Sequence, residues 1–117
     1  MACFTVPVAG AAVAAAAGRH MRSRNPGNPF AARLGWLVKM LSGGGFLLAI
    51  EHIYHGEVVL HPPFLTAAEK GPEAMAEMWR EMAVRGTAMT ALVCVAWAAM
   101  VCASVWLGKR RAAACAN

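Results

Sequence analysis

Residues 86–107 read GTAMTALVCVAWAAMVCASVWL, twenty-two residues without a formal charge, closed by Lys109, Arg110 and Arg111. At about 1.5 Å per helical residue the run is roughly 33 Å long, enough to cross the hydrocarbon core of a bilayer. Trp106, near the basic end, stands where an interfacial aromatic belongs.

The same signal repeats upstream. Asn28 and Pro29 form a helix start: a capping side chain, then a proline at the first helical position, where a missing N–H costs nothing. The helix they open has about twenty mostly apolar residues over 34–53, again the length of a span. Lys39 lies within that window. A lysine at the bilayer centre costs about 2.5–3.5 kcal/mol on insertion scales, whereas one near a boundary can reach the headgroups along its own stem.

Between the two runs the chain changes character. Pro62 and Pro63 exclude a continuous helix and give a loop over residues 57–71. Gly71 and Pro72 then open a short amphipathic helix, in which Met75, Met78, Trp79 and Met82 recur at i, i+3, i+4 and i+7 while Glu73, Glu77, Arg80 and Glu81 fall mainly off that stripe. The expected architecture is all-α: an integral membrane helical hairpin of two transmembrane helices, with this amphipathic helix in the connection.

Composition agrees. Hydrophobic residues make up 59% and charged residues 15% of the 117, against about 45–50% and about 25% in soluble domains. A chain this short has too little polar surface to face water on all sides. All six acidic residues lie between Glu51 and Glu81, and nine of the eleven basic residues lie outside that stretch. Bracketing apolar runs in this way is a topology signal, not the basic face of a nucleic-acid binder. It places both termini in the cytoplasm, the connection outside, and the chain in the plasma membrane.

The first 28 residues fit less well. Residues 1–18 are nearly all Ala, Val and Gly with no preceding positive charge, so they lack both the basic start and the strongly apolar core of a signal peptide. They read first as an Ala-rich leader with a basic linker, poorly ordered and dispensable, with Met21 as an alternative start. A marginal third helix is the second reading, and a signal peptide the third. The membrane domain is then residues 29–117.

One polar cluster could carry chemistry. Glu51, His52 and His55 share about a quarter of the helix circumference, and Glu57 and His61 follow in the loop. Imidazole and carboxylate together suit Zn²⁺, and imidazole suits copper. Haem is less favoured, because histidines three apart on one helix cannot occupy opposite axial positions. Hydrogen-bonded histidines at a membrane boundary are the plainer reading. The four cysteines form no CxxC and read as small apolar residues, and neither HExxH, GxSxG nor a P-loop occurs. Gly44, Gly45 and Ala49 on the first helix, and Ala99 with Ala103 on the second, supply small faces on which membrane helices pack. The functional expectation is a non-enzymatic structural or accessory membrane protein, associating with itself or with a larger complex in the lipid bilayer. An ion-, metal- or haem-binding accessory protein is the alternative.

Overall fold

A computed structural model describes residues 2–116 and is helical along most of its length. Helix α1 covers Thr5–Arg24, α2 Pro29–Tyr54, α3 Thr66–Glu69, α4 Pro72–Glu81 and α5 Thr87–Cys115, with a turn of π-helix, Met82–Gly86, joining α4 to α5. Among the described residues extended pairing is confined to an isolated bridge between Val58 and Leu65.

Helix α2 begins as its sequence dictates. The Asn28 side chain accepts a hydrogen bond from the Phe30 amide at 2.9 Å, and Pro29 takes the first helical position. Its last turn closes at Gly56, whose φ of 71° lies in the left-handed region open to glycine.

The Ala-rich segment differs from the expected disordered leader: it is a 20-residue helix packed along α2. The reason is complementary size. Ala11 and Ala14 lie against Leu34, Leu37 and Leu41, and Leu41 is only 2% exposed. Small residues on α1 let the leucines of α2 approach its backbone, giving dispersion contact that a hydropathy average over alanines does not register. Pro7 falls in the first turn of α1, where its missing donor is harmless.

A second difference concerns the connection. The amphipathic helix is not a separate element, because α4, the π turn and α5 form one rod, Pro72–Cys115, of 44 residues. At about 1.5 Å per residue such a rod spans roughly 66 Å, and the longest dimension of the molecule is 68 Å. The π turn sits where α1 comes closest. A Cβ on Gly86 would lie 2.7 Å from Val6 Cγ2 and 3.0 Å from the Cys3 carbonyl oxygen. Of the methionine stripe, Met78 is buried with Ala2 and Ala67, Met75 and Met82 pack on that group, and Trp79 remains exposed.

The contacts fix the register. Gly10 of α1 faces both Thr90 of α5 and Leu41 of α2, while the Trp97 indole N–H donates to the Arg33 carbonyl at 2.8 Å. Leu41 is therefore level with Thr90, and Arg33 with Trp97. The windows 34–53 and 86–107 then overlap for only about half their lengths, and α5 runs on roughly 20 Å past the start of α2. None of the residues of α5 is buried. Two helical stretches, Pro29–Tyr54 and Pro72–Cys115, are long and apolar enough to cross a membrane.

Because α1 and α2 are antiparallel, the chain starts beside the connection. Phe4 meets the His52 ring edge-on at 5.7 Å, and Ala2 packs with Ala67 and Met78. Arg19, Arg22 and Arg24 consequently fall at the opposite end, with the start of α2. The two ends of the described chain lie at opposite ends of the bundle, an arrangement that the expectation of both termini on one side did not contain.

Candidate functional site

The polar cluster foreseen on α2 lies at the connection end of the bundle. Neighbouring residues on α2 point to different sectors, about 100° apart, and this divides the cluster in two. Gly45 and His52, seven apart, face α1, where a Cβ on Gly45 would meet Val8 Cγ2 at 2.7 Å and His52 is 8% exposed. Gly44 and Glu51, also seven apart, face an apolar groove shared with α5.

His52 is held from two sides. Its Nδ1 stands 2.7 Å from the Leu48 carbonyl, and an oxygen with no proton requires the ring nitrogen to donate. That leaves Nε2 facing the Glu57 carboxylate at 3.6 Å, too far for a direct hydrogen bond and attractive as an ion pair when the ring carries a second proton. The Glu57 amide donates to the His52 carbonyl at 2.9 Å, which pins the start of the loop under the histidine.

The other two histidines are exposed and satisfied locally. His55 Nδ1 bonds the Glu51 carbonyl at 2.9 Å, and His61 Nδ1 bonds the Pro62 carbonyl at 3.2 Å. A cleft of about 420 Å³ brings Glu51, His52, His55 and Glu57 near Cys3, Glu81, Arg85 and Met89, whereas His61 does not line it. Glu81 and Arg85 pair at 3.4 Å across one turn of the helix. Among the described residues no three His, Cys, Asp or Glu side chains are grouped so as to hold a metal ion. Of the expected set Glu51, His52, His55, Glu57 and His61, the first four line this cleft without forming a group that could hold a metal ion, and His61 stands apart, so the geometry gives no support to Zn²⁺ or copper.

The small residues expected to pack helices have distinct surroundings. Gly45 and Ala49 border the seam between α2 and α1, Gly44 borders the groove towards α5, and Ala99 and Ala103 are exposed. Sequence reasoning missed Cys3, which reaches the cleft only because α1 folds back on α2. It also missed Arg85 and Glu81, although their i, i+4 spacing just before an apolar run was a usable signal. Comparison with protein-family models, with curated protein sequences and with solved structures finds no match.

Further along α4, the Glu77 carboxylate accepts two hydrogen bonds from Arg80, at 3.0 and 2.6 Å. That pairing holds Glu77 below the usual carboxylate range and Arg80 above its ordinary value. Both groups face solvent, so the pair contributes little to stability.

Proposed function

We propose that this chain is a small integral membrane protein of the plasma membrane, without a catalytic centre, acting as a structural or accessory subunit of a larger membrane assembly or of a homo-oligomer. One observation carries the reading: α5 is apolar on every side, and not one of its residues is buried. A helix apolar all round belongs in a protein core or in a membrane, and here the core is not available to it. Leu92 and Val95, about 70% exposed each, would face lipid tails.

A hydrocarbon slab of about 30 Å centred near Leu41 and Thr90 reaches ten residues either way along α2. Glu51 and His52 then stand at one boundary and Arg33 at the other. The basic end, with Arg19, Arg22, Arg24, Lys109, Arg110 and Arg111, is assigned to the cytoplasm. The connection and the start of α1 are assigned to the outside, and the last turn of α5 to the inside. Trp106, about 24 Å from Thr90 along the rod, lies past the slab on the cytoplasmic side and carries Arg110 over its ring at 3.8 Å.

Two features support assembly. Lys39 is exposed within the slab, and ionisable groups at that depth normally face protein partners. Ala99 and Ala103 present a small-xxx-small face that this chain leaves uncovered.

Washing membranes from expressing cells in alkaline carbonate tests the reading. The chain should stay in the pellet, with release into the supernatant in its place refuting membrane integration. Chemical cross-linking in mild detergent should give a dimer or a larger complex that Ala99→Leu with Ala103→Leu removes.

A further inference from the structure

The groove between α2 and α5 has a volume of about 410 Å³ and is lined by apolar side chains, among them Met40, Leu47, Met89 and Leu92. That volume lies within the roughly 300–1,000 Å³ of small-molecule sites. Gly44 forms its floor, and a Cβ there would meet nothing within 4 Å. The groove follows the helix axis: Met40, Gly44, Leu47 and Glu51 recur at i, i+4, i+7 and i+11 on one face of α2, a length of about 17 Å.

At its upper end the groove opens into the polar cleft, since Leu48, Glu51 and Met89 border both. Glu51, Glu57, Glu81 and Arg85 line that cleft, and of these Glu51 also borders the groove. The Glu51 carboxylate is exposed and forms no hydrogen bond or ion pair among the described residues. The Arg85 side chain is 69% exposed and only loosely paired with Glu81 at 3.4 Å, so most of its five donors remain available.

We propose that this groove holds one acyl chain of an aminophospholipid, with the ethanolamine ammonium on Glu51 and the phosphate on Arg85. The charge order selects the headgroup. A carboxylate beside a guanidinium complements an ammonium beside a phosphate, whereas a glycerol headgroup brings no cation and a choline headgroup brings no N–H to donate. Glu51 stands at the slab boundary, where headgroups lie; Arg85 starts about 7.5 Å from the slab centre, and its guanidinium extends toward that boundary, pairing with Glu81 one turn further out. A second protein helix is a poorer occupant, because it brings no ammonium beside a phosphate to the paired charges of Glu51 and Arg85.

The proposal rests on the membrane reading, and the test separates the two. The full chain is purified in mild detergent and exposed to an equimolar mixture of phosphatidylethanolamine, phosphatidylcholine and phosphatidylglycerol with identical acyl chains. Retained lipid is counted by native mass spectrometry. The ethanolamine lipid should be retained about tenfold over either competitor, the size of one hydrogen bond to a charged group. Glu51→Gln should bring that ratio near one with total retained lipid little changed. Gly44→Leu, whose side chain grows into open space, should lower retention of all three lipids. Equal retention by the parent chain, or a preference unchanged in Glu51→Gln, overturns the proposal. If carbonate extraction releases the chain from membranes, the membrane reading itself fails; if the chain stays in the pellet and shows no lipid preference, only the lipid site does.

Discussion

The α1–α2 pair and α5 are similarly poor in charge over their apolar stretches, yet they dispose of their surfaces in opposite ways. The pair encloses Ala11, Ala14, Leu34, Leu37 and Leu41, whereas α5 contributes only partly buried Val93, Cys94 and Trp97 at its edge. The difference lies in the size pattern. Alanines on α1 receive leucines from α2, so two helices mesh, while α5 distributes Val, Leu, Met and Trp around its whole circumference and offers no matching recess. Apolar content alone therefore does not separate a helix that packs within the chain from one that needs lipid or a partner.

Removing α1 should break the comparison most severely. A chain beginning at Met21 leaves Leu34, Leu37 and Leu41 without their cover. Its yield of folded protein and its melting temperature in detergent should both fall sharply, while α5 still carries it to the membrane. Equal melting of the shortened and full chains would mean that α1 does not hold the pair together.

Leu41→Ala is the graded form of the same test. At 2% exposure its truncation should cost about 2–5 kcal/mol in a chemical-denaturation series. Leu92→Ala, on the α5 wall of the open groove and 71% exposed, should cost well under 1 kcal/mol in the same assay. A large loss at Leu92 would mean that α5 is buried in an oligomer even in detergent.

Trp97→Phe is expected to be intermediate, at about 1–2 kcal/mol. It keeps an aromatic ring beside Phe30 and removes the indole N–H that bonds the Arg33 carbonyl. The smallest effect belongs to Glu77→Gln. The Glu77 carboxylate is held below its usual range by hydrogen bonds from Arg80, so whatever it contributes is present above the ordinary carboxylate pKa and lost as the pH falls through its lowered value. Since both groups lie in solvent, the substitution should leave the melting temperature unchanged at neutral pH, and raised salt should not alter that result.

Much of this architecture was legible residue by residue. Asn28 and Pro29 marked the start of α2, Gly71 and Pro72 the start of the long rod, and the uncharged run 86–107 its apolar part, because each signal is local and needs no partner. Helix α1 was not legible, since poly-alanine is weakly apolar and its worth depends on what it meets. Ala11, Ala14 and Gly18 do recur at i, i+3 and i+7, opposite Leu34, Leu37 and Leu41 at the same spacing, but pairing the two stripes requires knowing that the chain turns back at residues 25–28. The fate of the Glu and His cluster was hidden for a related reason. Spacing put Glu51, His52 and His55 in one broad sector, and only the position of α1 shows that His52 turns inward to Phe4 and Leu48 while Glu51 faces the groove.

The account stands most directly on which side each end of the rod occupies. With Cys3, Cys94 and Cys102 changed to alanine, Leu60→Cys places a thiol at an 87% exposed position in the connection, and Cys115 supplies one at the other end. In intact cells a membrane-impermeant maleimide should label position 60 at once and reach Cys115 only after the membrane is opened. An amino-terminal epitope should be accessible together with position 60. Labelling of both thiols in intact cells, or labelling of Cys115 alone, would contradict the membrane-spanning arrangement and its direction.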